Sequence, residues 1–355
     1  MITVTLTRPT DFEALGERWR ALEARTEVSF FQSWTWMGCL VTERFPDPVL
    51  LEATEAGQTV GLALCNHRPG FPRGRLAFGE TGMAPFDDLF IEHNGPLVLA
   101  ERRAAILQAM IAAAASRYDL ILSGISGADR TALEAVCRIV PHRHLPAPLV
   151  DLASMRRDGG DYLARRAANT RQQIRRSDRV LSAAGDIAVT RAATEAEASA
   201  WLEDMAVLHQ ATWIARGRPG CFAQPFFGRF HHALIQRGMA RAEIDLLRVS
   251  AGPHTIGVLY NFRHRGRVLA YQSGFDYAGG PRSAKPGMTS HHHAIRYYMT
   301  QAVDIYDFLA GDDRYKRSLA DRDEGLHWLL AGPAWSPRVA AGRARAWVRR
   351  RVRPV

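Results

Sequence analysis

Two segments in the last quarter of the chain concentrate residues able to carry group-transfer chemistry. The first is a junction. Gly274-Phe275-Asp276 closes an alternating apolar run, a loop rich in glycine and proline follows, and a helical pattern opens at Pro286-Gly287. A helix N-terminus offers unpaired N–H groups and the positive end of the backbone dipole, which together hold phosphates. Arg282 and Lys285 add two cations to the loop. The second segment is Tyr306-Asp307-Phe308-Leu309-Ala310-Gly311-Asp312-Asp313-Arg314-Tyr315-Lys316. Asp307 interrupts an apolar strand pattern, and a buried carboxylate needs a partner. Lys316 supplies a compact ammonium of the kind that stabilises negative charge on a carbonyl oxygen during acyl transfer. Of 46 basic residues only two are lysines, Lys285 and Lys316, and each lies in one of these segments. The alternative for the first segment is an ordinary loop with two basic residues.

Other chemistry-bearing residues read less sharply. His209 and Trp213 stand one helical turn apart, as a packing pair or a functional one. His291-His292-His293 and His231-His232 are consecutive, and neighbouring helical side chains point in different directions. Shared chelation of one ion is therefore not expected, and no metal site is assigned. Cys39, Cys65, Cys137 and Cys221 show no CxxC or other ligand spacing. They read as small buried apolar residues in a reducing compartment. The sequence has no GxSxG elbow, HExxH or phosphate-binding P-loop, which removes support for hydrolase, zinc-protease and NTPase functions.

These segments need elements to position them. The first half reads as a strand (Ile2 to Leu6), a helix from Asp11 to Thr26 capped by Thr10, and a helix opened by Ser29 to Trp36. Strands at Val49 to Ala53 and Thr59 to Asn66 turn at Gly57; a Gly/Pro-rich stretch leads to a short strand near Leu89 to Ile91. A helix from Glu101 to Arg117 and a strand from Tyr118 to Leu122 follow. Tyr162, Arg166, Thr170 and Ile174 recur at helical spacing. The second half reads as a strand (Ile187 to Arg191), helices over Thr194 to Arg216 and Pro225 to Gly238, and a strand from Ile244 to Val249. A hairpin pair (His254 to Arg263, Arg267 to Phe275), a helix from Pro286 to Gln301 and a last strand, Ile305 to Ala310, complete it. The halves share this order, and Thr59-Val60-Gly61-Leu62 echoes Thr255-Ile256-Gly257-Val258. The expectation is a duplicated α/β unit.

At 355 residues, 47% apolar and 23% charged, the chain has the size and composition of two globular domains. The net charge of +10 is local. It resides in Arg156 to Arg179 and in the arginine-rich tail after Arg338, so the remainder is close to neutral and a nucleic-acid-binding face is not indicated. The first residues lack a basic segment followed by an apolar one. The longest near-apolar run, Ala104 to Ala115, is too short to span a bilayer. A cytoplasmic protein is expected, possible contact with the inner face of the membrane being confined to the tail. There Ala340, Ala344, Trp347, Val348 and Val352 can share one side of a basic helix.

The motifs also resemble a known family. Tyr306-Asp307-Phe308-Leu309-x-Gly311 with Tyr315-Lys316 is similar to the signature of the CelD/BcsL-type acetyltransferases (Acetyltransf_6), relatives of the FemX/FemAB peptidyltransferases. Trp19, Phe31-Gln32-x-Trp34-x-Trp36, Asn169-Thr170-Arg171 through Arg175-Arg176, His209-x-x-x-Trp213 before Gly220-x-Phe222, and Tyr271-x-x-x-Phe275-Asp276 agree with it. Arg282 to Gly287 resembles the Q/R-x-x-G-x-G/A pyrophosphate loop of GNAT acetyltransferases, with Lys285 where the first glycine is usual.

The resemblance implies an α/β tandem of two GNAT-like domains, with mixed sheets flanked by helices. The expected divisions are 1–150, a basic linker helix over 151–183, a catalytic domain over 184–333 and a tail over 334–355. It implies acetyl-CoA or another acyl-CoA as donor, with no metal, and an amine acceptor on a small-molecule or lipid-linked amino sugar or other envelope or exopolysaccharide precursor. Lys316, Asp307 and Tyr315 would be catalytic. Arg282, Lys285, Pro286, Gly287 and Met288 would hold the cofactor. Arg171, Arg175, His209, Trp213, Tyr271 and Asp276 would contact substrate. A Fem-like transfer from aminoacyl-tRNA, or a non-catalytic glycan-binding scaffold, stays open beside it.

Overall fold

A computed structural model describes residues 1–83, 90–280 and 283–352, the last four by backbone alone. The chain forms two compact units, Met1–Leu145 with Gly325–Val355, and Pro146–Glu324. The first series of elements is β1 (Ile2–Thr7), α1 (Phe12–Glu23), α2 (Trp34–Arg44), β2 (Pro48–Glu55), β3 (Gln58–Arg68), β4 (Arg75–Phe78), β5 (Leu97–Val98), α3 (Arg103–Ala115), β6 (Asp119–Ser126), α4 (Gly127–Glu134) and β7 (Arg138–Asp151). Then come α5 (Leu152–Arg157) and α6 (Ala168–Leu181). The second series is β8 (Ile187–Arg191), α7 (Glu195–Ala215), α8 (Pro225–Gly238), β9 (Ile244–Ala251), β10 (His254–His264), β11 (Arg267–Phe275), α9 (Pro286–Met299), β12 (Ile305–Asp307), α10 (Arg314–Leu319) and β13 (Arg322–Gly332), with α11 (Pro337–Val352) at the end.

The two series repeat one another apart from the two-residue β5. In the first unit the strands lie in the order β1-β2-β3-β4-β6-β13, and in the second β8-β9-β10-β11-β12-β7. Each sheet is antiparallel except where a helix crosses over: β4 with β6, and β11 with β12, are parallel. Each unit takes its last strand from a distant part of the chain. That exchange is why the units do not divide at 150 and 333. The ends of β7 and β13 go with the strands they pair with, not with their sequence neighbours.

The sequence echo has a packing cause. Val60 and Ile256 are extra residues where the strand register shifts, and each precedes a glycine. A Cβ on Gly61 would come 2.7 Å from Met110 Sδ and 2.8 Å from Ile106 on α3. On Gly257 it would come 2.6 Å from the Phe275 ring, 3.0 Å from the Gly274 carbonyl and 3.1 Å from Ser290 Oγ on α9. In both units the bulge and the bare backbone let the crossover helix lie close to the third strand.

The basic segment is part of the second unit instead of a linker. Helix α6 begins at Ala168, and Tyr162 and Arg166 precede it. The buried Arg166 donates to the carbonyl of Leu319 (2.8 Å) and pairs with Asp321; Tyr162 Oη donates to the same Leu319 carbonyl (2.8 Å). Arg156 pairs with Asp304 at 2.7 Å. The C-terminal residues are likewise folded into the first unit. Val339 is buried against Val140 and Leu330, and Arg338 pairs with Asp119 at 2.7 Å. Trp347 and Val348 of the expected apolar stripe are exposed.

Several boundaries differ from expectation. Asp11, not Thr10, caps α1, accepting from Glu13 N and Ala14 N. Leu89 lies outside the described residues, and Phe90 and Ile91 are not in a strand. β12 ends at Asp307, three residues early, because Asp307 turns the chain.

Candidate active site

Strands β11 and β12 pair over only three residues, Arg267 with Ile305, Val268 with Tyr306 and Leu269 with Asp307. Two residues later β11 carries a bulge, since Tyr260 and Asn261 of β10 face Gln272 and Ala270 and leave Tyr271 extra. The bulge re-aims the strand, and its last residues run on beyond their pairing with β12.

Helix α9 begins beside those last residues. Pro286 takes the first position, where its missing N–H costs nothing, and no side chain caps the helix start. Pro286, Gly287 and Met288 are buried while Lys285 is exposed. Gly287 lies against Phe275 and Tyr277, whose atoms would be 3.1 and 3.4 Å from an added Cβ. Helix α6 fixes this first turn: Ser177 Oγ accepts from Lys285 N at 2.8 Å and lies 2.8 Å from Thr289 Oγ1. Arg282 lies outside the described residues.

Asp178 completes the clamp. It accepts from Thr289 Oγ1 at 2.8 Å, and one of its oxygens lies 3.0 Å from His292 Nδ1 and 3.5 Å from His293 Nε2. Burial works to raise its pKa, but the bonds from His292, His293 and Thr289 outweigh it and hold the carboxylate well below its usual range. Two of the three consecutive histidines thus meet one carboxylate, although their side chains leave the helix in different directions. One reaches it through Nδ1 and the other through the more distant Nε2, and all three ligand atoms lie within 4.8 Å of one another.

The third histidine points elsewhere. His291 is 3% exposed, its Nδ1 lies 2.8 Å from Tyr306 Oη, and its ring stacks on Tyr315 at 6.0 Å. Burial, then the Lys316 ammonium, push its pKa down to about 3, so it is neutral at physiological pH. Its Nε2 is buried with no hydrogen-bond partner among the described residues. Sequence reasoning passed over this residue by treating the three histidines as one motif. Its spacing from Gly287, one turn along the same helix, was the available signal.

Tyr315 and Lys316 of α10 meet this group. Tyr315 presents 38% of its surface to solvent, yet the surrounding protein, with Asp313 and Tyr277 nearby, pushes its pKa up. Lys316 Nζ donates to the carbonyls of Ala310 (3.0 Å) and Leu309 (3.4 Å). Arg216 connects the α7 pair to the same place. It lies over the Trp213 ring at 5.6 Å, and its charge acts on both Tyr277 and Tyr315. Trp213 in turn touches His209 at 5.9 Å between ring centres.

Four expected site residues have partners within the protein. Asp307 is fully buried; its Oδ2 accepts from Arg267 at 2.8 Å and its Oδ1 from Leu309 N at 2.7 Å. It anchors the turn in which Leu309 adopts φ +61°, and so positions the carbonyls that hold Lys316. Asp276 caps its own loop, accepting from Ala278 N and Gly279 N. Tyr271 is in the core, its hydroxyl 3.2 Å from His231 Nε2. Arg171 folds back onto the Arg166 carbonyl at 2.7 Å. Arg175 is exposed on α6. A cavity of about 450 Å³ lies along the far end of α9, lined by Asp161, Tyr162, Arg296 and His293, the last of which it shares with the Asp178 clamp.

Residues 168–317 match the Acetyltransferase (GNAT) domain family, and this part of the chain is such a domain. Similar solved structures extend the likeness over nearly the whole chain. FemX matches with a TM-score of 0.57 at 10% identity, covering 91% of this chain and 96% of its own. The C-terminal domain of a lysylphosphatidylglycerol synthetase from Agrobacterium fabrum gives 0.55 at 12%, covering 93% and 94%. L-PGS from Bacillus licheniformis gives 0.54 at 10%, covering 92% and 96%. At such identities the likeness is one of fold, and the chain is a tandem of two GNAT-like units. No curated protein sequence matches it significantly.

Proposed function

We propose that the second unit transfers an acyl group from an acyl-CoA to an amine, as an N-acyltransferase acting on an amino sugar or another cell-envelope precursor. The observation that carries this reading is the uncapped first turn of α9, buried at Pro286 to Met288 and flanked by the exposed Lys285. Its N–H groups and the lysine fit a pyrophosphate. A bound acyl-CoA would supply an activated thioester carbonyl. His291 Nε2 offers a buried hydrogen bond to a ligand at this end of β11. Tyr315, kept protonated by its surroundings, can give a proton to the departing thiolate. Lys316, held by two carbonyls, contributes positive potential next to His291. Asp307 acts through the turn and not on the reacting atoms.

The test is release of free CoA from acetyl-CoA, followed with a thiol reagent, in the presence of a panel of amino sugars. Amine-dependent release supports the reading; none with any amine at millimolar concentration counts against it. A second reading keeps the fold and changes the donor to aminoacyl-tRNA. It draws on FemX and on the neighbour named as the domain of a lysylphosphatidylglycerol synthetase. Transfer of a labelled amino acid from charged tRNA, without CoA release, would favour it. No helix among the described residues is long and apolar enough to cross a membrane. The exposed Trp347, Arg343 and Arg345 of α11 would serve a lipid-linked acceptor by resting on an anionic surface, which vesicle co-sedimentation checks.

A further inference from the structure

Cys221 opens the short turn, Cys221–Ala223, between α7 and α8. Its Sγ lies 3.3 Å from Nε2 of His209. The other ring nitrogen, Nδ1, lies 3.2 Å from the carbonyl oxygen of Ser273 on β11. A carbonyl can only accept, so Nδ1 carries the proton and Nε2 is left bare to accept from the thiol. The imidazole is set between Trp213 (5.9 Å) and Phe222 (5.5 Å), which fix its plane. Burial holds the His209 pKa below its ordinary value despite the Ser273 carbonyl, so the ring is an available base at neutral pH.

The remaining cysteines are built differently. Cys39, Cys65 and Cys137 are buried, whereas Cys221 is half-buried. Burial pushes the Cys65 thiol well above its ordinary range and that of Cys137 up to about 11. Both are poor nucleophiles at neutral pH. Only Cys221 combines access, an adjacent base and a third group that orients the base, the arrangement of an activated nucleophile.

We propose that Cys221 and His209 form a reactive thiol–imidazole pair, a modification site that takes small disulfides. The Cys221 sulfur attacks one sulfur of R–S–S–R, and the new S–S bond forms as the old one breaks. The thiol proton passes to His209 Nε2 and from there to the departing thiolate. The products are the mixed disulfide Cys221–S–SR and free R–SH, which balances the exchange. Arg216, over the Trp213 ring at 5.6 Å, links the pair to Tyr277 and Tyr315 through its charge. The proposal does not depend on the acyl donor.

The full chain is incubated with oxidised glutathione, and the adduct is followed by intact mass and peptide mapping. Wild type takes up one glutathione, at Cys221, and Cys221→Ser takes none. The initial rate in wild type stays level from about pH 8 down to the pH at which His209 protonates, below about 6.5. In His209→Ala it falls about tenfold per pH unit below about 8.5, so that at pH 7 the variant is slower by about tenfold or more. Should His209→Ala not fold, the wild-type profile alone decides. A profile that falls with the ordinary thiol pKa, adduct formation at Cys39, Cys65 or Cys137 at a comparable rate, or no adduct on folded protein overturns the proposal.

Discussion

Replacing Asp307 separates a positioning role from a chemical one. Its side chain is 0% exposed and its partner Arg267 24% exposed, so the pair is largely desolvated. Removing one partner of a buried pair costs about 3–5 kcal/mol, because the other charge is left uncompensated. Here Arg267 keeps Glu324, with N–O distances of 3.2 Å, which places the cost of Asp307→Ala near the low end, about 3 kcal/mol. Loss of the acceptor for Leu309 N–H adds about 1 kcal/mol. Asp307→Asn keeps a single acceptor oxygen, which can serve Leu309 N–H while its NH2 group faces Arg267, so it spares only the bond to Leu309 and should cost about 3 kcal/mol. Urea unfolding followed by circular dichroism reads both variants. The expected order of midpoints is wild type, then Asn, then Ala, with turnover of each folded variant lowered through loss of the Lys316 geometry. An Asp307→Asn protein that unfolds with wild type yet has lost turnover would refute the reasoning and return Asp307 to the reacting groups.

Two further outcomes follow from the packing and the clamp. Gly257→Ala should destabilise by about 1–3 kcal/mol, and by more than Gly61→Ala, because a backbone carbonyl and the Phe275 ring stand in its way where Gly61 meets only the side-chain atoms of Met110 and Ile106; equal midpoints would contradict this. The Asp178 pKa is lower folded than unfolded, so its contribution is fully present above about pH 4 and is lost as pH falls through the folded value. Asp178→Asn should therefore be less stable than wild type at pH 6, with the gap narrowing below about pH 4 in urea titrations; a gap independent of pH would show that its charge contributes nothing.

Much of the fold was legible because each unit announces its elements through apolar periodicity. The strands Ile187–Arg191 and Arg267–Phe275 and the helix starting at Pro286 lie where the pattern puts them. The exchanged strands were not legible. β7 and β13 mix polar and apolar residues, and nothing local says which sheet a strand will join. The basic segment misled for a related reason, since charge spacing does not reveal that Arg166 and Arg156 meet partners more than a hundred residues away. The proposed site at the start of α9, with Tyr315 and Lys316, was drawn from helix-end physics and the rarity of lysine, and the fold brings Tyr315 against His291 of that helix. Asp307, Asp276 and Tyr271 have the same residue types as functional groups, and only their partners distinguish a structural carboxylate or phenol from a working one. The Cys221–His209 pair needed the fold, because twelve residues separate its members and the turn before α8 brings them together.

The central claim is that the first turn of α9 holds the pyrophosphate of an acyl-CoA. Calorimetric titration of acetyl-CoA into wild type and Lys285→Glu tests it most directly. Lys285 is exposed, so the substitution leaves the packing alone and reverses the charge at the helix start. Saturable binding to wild type, weakened about tenfold or more in Lys285→Glu, is the predicted result. No heat of binding at millimolar acetyl-CoA, or equal affinity in the two proteins, would contradict it.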